Sequence, residues 1–140
     1  MLHAVEKAVK KASPAILKGL ESKGWAVVDN FFADASYKTM RAEAVNYFKE
    51  GDMTLSQSTR WDPEIKTTVV YNKHNVFSMQ LSGGDSYYRG PRLHEYIVGM
   101  IRSLAPVLQD RFPEAMISPT MASNKLAVCT GEGSAYDKVF

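Results

Sequence analysis

The most informative stretch of this sequence reads Lys125-Leu-Ala-Val-Cys-Thr-Gly-Glu-Gly-Ser-Ala-Tyr-Asp-Lys-Val-Phe140. Residues 126–129 are apolar and predict a β-strand, in which Leu and Val share one face and Ala and Cys share the other. Gly131 and Gly133 can adopt the backbone angles that a hairpin needs. Residues 134–140 then begin a return strand. The stretch therefore predicts two consecutive strands joined by a hairpin.

The composition of the 140-residue chain is that of an ordinary globular protein, with 45% hydrophobic and 23% charged residues. Its length allows one domain at most, and a chain of this size can bury a real core. The net charge of +2 is too small to indicate nucleic acid or an acidic membrane as a partner. No window of about 18 apolar residues occurs, so no membrane-spanning segment is expected.

The cellular compartment is predicted from the single cysteine and from the N-terminal residues. Cys129 excludes an internal disulfide framework and favours a reducing environment. The N-terminal segment lacks the apolar core of a secretory signal, and Glu6, with no arginine nearby, disfavours a mitochondrial presequence. We therefore expect a cytoplasmic or nuclear protein.

Two short helices are predicted at the start of the chain. The first runs from about His3 to Lys11. Ser13 and Pro14 have the residue types preferred at an N-cap and at the first helical position, so they predict the start of the second. Gly24 suits a left-handed C-terminal residue that would end it. Residues 25–29, Trp-Ala-Val-Val-Asp, then predict a mostly buried strand.

The middle of the chain is predicted to contain another helix, from Asp34 or Ser36 to about Lys49, which Gly51 ends. Its apolar residues recur at helical spacing, which favours core packing over a cofactor site. The residues of this stripe are Tyr37, Met40, Ala44, Val45 and Phe48.

A β-branched run and a long helix are predicted in the remaining part. Residues 67–71 favour an extended conformation, and residues 82–86 favour a loop. Pro91 is expected to begin a helix that continues to about residue 111. Pro106 should kink or divide this helix, because proline lacks the N–H group and its ring clashes with the preceding turn.

Three of these parts, in this order, resemble the 2-oxoglutarate/Fe(II)-dependent dioxygenases, and in particular the prolyl 4-hydroxylase-like enzymes of the oxygen-sensing type. The first is Gly24-Trp-Ala-Val-Val-Asp-Asn-Phe-Phe32, which is similar to the opening strand of that family. The second is the helix near 92–111, which resembles a support helix. The most specific is Val128-Cys-Thr-Gly-Glu-Gly-Ser-Ala-Tyr-Asp-Lys138, which resembles the run that leads to the first metal-binding histidine.

The resemblance implies an α+β fold, in which N-terminal helices pack on the first strands of an incomplete double-stranded β-helix, or jelly roll. Residues 1–140 would form a single partial domain. Residues 1–23 would be an N-terminal helical segment, and residues 24–140 would be the N-terminal part of the dioxygenase-like domain. The resemblance also implies Fe(II), 2-oxoglutarate and ascorbate as cofactors, and a peptide or protein as the substrate.

The metal-binding residues that the resemblance requires do not occur in their expected positions. The family binds iron through an H-x-D pair on the return strand and a later histidine, and Val139 stands where the first histidine would fall. His3, His74 and His94 are the only histidines. The residues two positions after them are Val5, Val76 and Tyr96, so no H-x-D or H-x-E pair exists. We expect none of the implied cofactors to bind well, and no turnover.

Two further residues occupy positions that line the family's pocket. Cys129 falls where relatives often carry a tyrosine that binds 2-oxoglutarate, a role that a thiol would fill poorly. Its alternative interpretation is a small buried residue on a strand. Tyr136 matches a tyrosine of the family motif. Two interpretations remain open for its side chain: it lines the pocket or substrate groove, or it packs on the sheet.

Three interpretations of the whole chain remain open at this point. The first is a dioxygenase relative without its catalytic half, whether a fragment, a splice product or a mispredicted gene end. The second is a non-catalytic binding or regulatory module derived from the same fold. The third is an unrelated α+β protein. The return strand at 134–140 would leave an open sheet edge, which favours self-association or pairing with another chain.

Overall fold

The computed structural model describes residues 1–82, 84–121 and 123–131, and within this part of the chain the fold is α+β, as predicted. The described residues contain four α-helices, a short 3-10 helix and one antiparallel sheet of three strands in the order β1-β2-β3. The elements are α1 (Leu2–Lys23), α2 (Asp34–Lys49), β1 (Thr54–Asp62), β2 (Thr67–Met79), α3 (Asp85–Arg89), α4 (Pro91–Arg111), the 3-10 helix (Pro113–Ala115) and β3 (Leu126–Cys129).

The chain divides into two compact units. The first contains Met1–Glu43 and Ser82–Ser123, and the second contains Ala44–Leu81 together with, among the described residues, 124–131. No helix in the described part of the chain has the length and apolar character required to cross a bilayer. The predicted return strand at 134–140 lies outside the described residues, and so do Tyr136 and Val139.

Helix α1 is continuous over its 22 residues, so the prediction of two helices separated at Ser13 is wrong. Pro14 lies inside α1, where its missing N–H removes one helical hydrogen bond. The Ser13 hydroxyl donates to the carbonyl oxygen of Val9 at 2.6 Å, as serine does within a helix. Gly24 ends α1 as predicted, with φ of 80° and its N–H donating to the Leu20 carbonyl oxygen at 3.0 Å.

Helices α1 and α4 run parallel to each other in the first unit. Near their N-terminal ends Val5 lies against Gly99, and further along Glu21 forms an ion pair with Arg111. Pro106 is exposed and α4 continues past it, so the expected division of this helix does not occur. The buried residues of the two helices are Val5, Val9, Ala12 and Gly19 in α1, and Leu93, Gly99 and Ala105 in α4.

The segment after α1 is extended but forms no strand, which corrects the prediction of a buried strand at 25–29. Trp25 and Val27 are 56% and 73% exposed, whereas Ala26 and Val28 are half-buried. The physical reason is that a strand requires a hydrogen-bonded neighbour, and no described strand pairs with this segment.

Helix α2 has the predicted bounds, and Gly51 follows it in the left-handed conformation with φ of 81°. Its buried residues, however, are Glu43 and Tyr47, whereas Tyr37 of the predicted apolar stripe is exposed. The inward face of α2 is therefore rotated from the one that the apolar residues alone indicate.

The second unit is built on the β1–β2 hairpin, of which only the part at 67–71 was predicted. The mixed polar sequence of β1, Thr-Leu-Ser-Gln-Ser-Thr, has no apolar alternation that would indicate a strand. The pairing of β1 with β2 is irregular between Leu55 and Gln57, where the register shifts. The ring of Phe77 in β2 packs edge-on against Phe48 of α2, with 5.3 Å between the ring centres.

Candidate functional site

Strand β3 carries Cys129, the one described residue that the resemblance places in a cofactor pocket. The side chain of Asn124 holds the start of this strand. The Asn124 side-chain amide donates to the Leu81 carbonyl oxygen at 2.7 Å, and its oxygen accepts from the Leu81 N–H at 2.8 Å. Asn124 therefore pairs with a backbone peptide group as a strand residue would. This contact fixes where β3 begins to run beside β2.

The end of β3 is held by a second contact to β2. The Thr130 N–H donates to the Asn75 carbonyl oxygen at 2.9 Å, and the Thr130 hydroxyl lies 3.3 Å from the same oxygen. Asn75 has a positive φ of 53°, so the chain turns locally at this point of β2. Gly131 follows with φ of 67°, a left-handed conformation that glycine adopts without strain.

Between these two contacts the register places Cys129 opposite Val76 and Val128 opposite Phe77. The Cys129 thiol is free and exposed. The interpretation of Cys129 as a small buried residue is therefore wrong, although its partner Val76 is fully buried. An exposed thiol can donate only a weak hydrogen bond to a carboxylate such as that of 2-oxoglutarate.

A lysine side chain lies at the start of the same strand. The ammonium group of Lys125 donates to the hydroxyl of Ser56 at 2.8 Å. Ser56 is only 2% exposed and lies at the irregularity of β1. Because Lys125 is four residues from Cys129 along an extended chain, their backbones are about 13 Å apart. The ammonium group is thus engaged at the far end of β3 from the thiol.

The three histidines do not come together. His74 is exposed on β2, and His3 is exposed on α1, where Nδ1 lies 3.8 Å from a carboxylate oxygen of Glu6. His94 of α4 is half-buried, and its Nδ1 lies 2.9 Å from the Gly90 carbonyl oxygen. Since a carbonyl oxygen only accepts, Nδ1 carries the proton, and Nε2 can accept from the Ser86 hydroxyl at 3.3 Å.

Within the residues that the structure describes, no group of three or more His, Cys, Asp or Glu side chains is placed to hold a metal ion. His3, His74 and His94 therefore belong to no such group. Val139 and Tyr136 belong to the part of the chain outside these residues.

Sequence reasoning does not identify Glu43 of α2, whose carboxylate is buried in the structure. Its two carboxylate oxygens accept hydrogen bonds from the backbone N–H groups of Arg92 and Leu93, at 3.1 and 2.9 Å. These N–H groups belong to the first turn of α4, which has no intrahelical acceptor for them. The single signal in the sequence is that Gly90-Pro91 offers α4 no side-chain cap of its own. Glu43 thus fixes α2 to the start of α4.

Comparison with known proteins gives no match to a protein family, to a curated protein or to a solved structure.

Proposed function

We propose that the chain is a relative of the 2-oxoglutarate/Fe(II)-dependent dioxygenases, of the prolyl 4-hydroxylase-like type, and that it corresponds to the N-terminal part of their jelly roll. The observation that carries the proposal is the geometry of β3. The strand is held at both ends against β2 and leads through the left-handed Gly131. The residues that follow are those whose sequence resembles the metal-binding strand of the family.

The order of elements gives further support. Helices come first, then a hairpin, then the long helix α4 and only then β3. The segment at 24–32, α4 and β3 follow one another in the order of the three similar segments, although the first of them forms no strand. A cytosolic or nuclear location belongs to the same proposal, since the exposed and free Cys129 suits a reducing compartment.

We further propose that the chain as given is catalytically inactive. Val139 has no lone pair to offer at the position of the first metal ligand. None of the described histidines belongs to a group of three or more potential metal ligands.

The direct test is succinate formation from 2-oxoglutarate by the purified chain, with Fe(II) and ascorbate present. The expected result is no succinate above that of the reagents alone. Succinate formation that depends on the protein would overturn the proposed inactivity.

The relationship to the family is tested separately by restoring the ligand pair. The variant V139H with one aspartate appended after Phe140 creates His-Phe-Asp, and V139A with the same aspartate is the matched control. We expect the histidine variant to bind Co(II) at least about tenfold more tightly than the control, because residues i and i+2 of a strand face the same way. Equal affinities would contradict the proposed position of the metal strand.

The second candidate function is a non-catalytic binding or regulatory module. It is favoured by an apolar groove in the first unit, whose lining side chains are only half-buried. Absence of turnover together with specific binding of a protein partner is the result that this alternative requires.

A further inference from the structure

The first unit contains an apolar groove that its own residues leave uncovered. The groove has a volume of about 530 Å³ and lies between α1, α4 and the segment that follows α1. Its lining side chains are half-buried, so they remain in contact with solvent. They include Ile16 and Leu20 of α1, Val28 of the connecting segment, and Tyr96, Met100 and Leu104 of α4.

The wall of this groove is the extended segment at 25–29, which pairs with no described strand. Among the described residues, no strand pairs with Trp25–Asp29 and no backbone hydrogen bond is found for Trp25, Ala26 or Val27, whereas Gly24 just before them bonds back to α1 and Asp29 belongs to a turn. Ala26 and Val28 line the groove and Trp25 and Val27 point to solvent, which is the alternation of a β-strand.

The extended segment is held in place before any partner arrives. A methyl group at Gly19 of α1 would lie 2.8 Å from both the Trp25 carbonyl oxygen and the Ala26 side chain, so only glycine allows this close approach. On the outer side the ammonium group of Lys23 lies 4.1 Å from the centre of the Trp25 ring. A strand edge that is ordered in advance reduces the entropy lost on binding.

We propose that Trp25–Asp29 is a docking edge for an extended peptide of another protein, which adds as a β-strand and places alternate aliphatic side chains in the groove. Unpaired peptide groups need a backbone as their partner, which favours a strand over a helix or an apolar small molecule. The apolar lining requires aliphatic side chains at every second position. This inference does not depend on the proposed relationship to dioxygenases.

Charge gives the partner a further property. Helix α1 carries five lysines against two glutamates, and α4 carries three arginines against one glutamate and one aspartate. Summed over each whole helix, α1 and α4 therefore carry a net positive charge, although Arg92 and Arg111 are in ion pairs with Glu95 and Glu21. The expected partner has acidic residues on either side of its alternating aliphatic segment.

The probe for this edge is a fluorescein-labelled peptide of the sequence Glu-Val-Thr-Val-Thr-Val-Glu. Two matched controls carry N-methyl groups, one on its three valines and the other on its two threonines. In a strand, the N–H groups of the valines point to one side and those of the threonines to the other. We expect the parent peptide to bind with a Kd below about 1 mM, one methylated control to bind at least about tenfold more weakly, and the other to bind within about threefold.

Hydrogen exchange of the full chain locates the bound peptide. Alternate amides of Trp25–Asp29, on the side that faces the peptide, should exchange more slowly when the peptide is present. The variant V28D, which places a charge in the groove, should weaken binding at least about tenfold, whereas V27D, on the solvent side, should change it by less than about threefold. The methylated peptides on the unaltered chain keep the test decisive if V28D fails to fold.

Three results would overturn the proposal. They are no saturable binding of the parent peptide, equal binding of both methylated controls, and peptide-dependent protection elsewhere than Trp25–Asp29. A fourth result, in which these amides become protected as the concentration of the chain alone is raised, would assign the edge to a second copy and exclude a peptide as its occupant.

Discussion

Gly99 of α4 lies directly against Val5 of α1, so that a methyl group at Gly99 would be 2.7 Å from the Val5 Cβ atom. Val5 is fully buried, and α4 has no room to move away without opening the core of the first unit. We expect G99A to lower the free energy of unfolding by about 1–3 kcal/mol, which is typical of overpacking in a tight contact. Urea denaturation followed by circular dichroism measures the change.

The matched control is V98A on the adjacent, partly exposed position of α4, which should change stability by less than about 1 kcal/mol. The double variant V5A/G99A tests the contact itself. The decrease in the free energy of unfolding of the double variant should be smaller than the sum of the decreases of V5A and G99A, because the smaller side chain makes room for the added methyl group. Strict additivity would contradict the described packing.

Glu43 holds the N-terminus of α4 through two backbone N–H groups. Replacement by alanine leaves buried donors without an acceptor, so E43A should lower the free energy of unfolding by about 1–3 kcal/mol. E43Q retains one acceptor oxygen, so it should lower the free energy of unfolding by less than E43A does. The control E114A, at an exposed site, should be nearly neutral. If E43A proves as stable as E114A in urea, the capping contact does not exist in solution.

Asn124 fixes the start of β3 through its two hydrogen bonds to Leu81. N124A should lower the free energy of unfolding by about 1–3 kcal/mol, because the largely buried Leu81 peptide groups lose their partner. Amides of Leu126–Cys129 should then exchange faster with solvent, while those of the β1–β2 hairpin change little. N46A on the exposed side of α2 is the control and should leave the exchange of β3 unchanged.

A substitution of Pro14 tests whether α1 is one continuous helix or the two helices that the sequence predicts. Within a continuous α1, P14A restores a helical hydrogen bond and should raise the free energy of unfolding by about 1–3 kcal/mol. At the first position of a separate helix, where proline is favoured, the same change would be neutral or destabilising. Thermal and urea denaturation of P14A, compared with P113A at the start of the 3-10 helix, measure the difference.

The Cys129 thiol is exposed at the end of β3 and should react with a disulfide reagent without unfolding. We expect one equivalent of thiol to be titrated by Ellman's reagent under native conditions, at a rate within about tenfold of that in 6 M guanidinium chloride. C129S should leave stability within about 0.5 kcal/mol of the parent chain. A thiol that reacts only after denaturant is added would mean that Cys129 is covered in solution.

The features that the sequence predicts correctly depend on neighbouring residues alone. Gly24 and Gly51 end their helices through their own backbone freedom, and Pro91 begins α4 because the first helical position needs no N–H. The sequence predicts that Pro14 begins a second helix and that Pro106 kinks or divides a helix. Each lies instead inside a continuous helix. In α1 buried residues lie on both sides of Pro14, and this packing outweighs one lost hydrogen bond.

The features that the sequence does not predict depend on distant contacts. The Glu43 cap joins residues about fifty positions apart, and nothing near Glu43 distinguishes it from the other carboxylates of α2. Strand β1 is too polar to be recognised without β2, and Trp25–Asp29 has the composition of a strand but no described partner. Of the candidate site, the position of Cys129 on β3 could be predicted, whereas its exposure could not.

The contacts that hold β3 have a consequence for the order in which the second unit folds. The β1–β2 hairpin closes a short loop, whereas Asn124 must find Leu81 across 43 residues, which include all of α4. Because closing a longer loop has a larger entropic cost, β3 should dock after the hairpin has formed. A strand of four residues makes few backbone hydrogen bonds, and these alone specify its register only weakly. We therefore expect the side chain of Asn124 and the contacts of Thr130 to set the register in which β3 docks on β2.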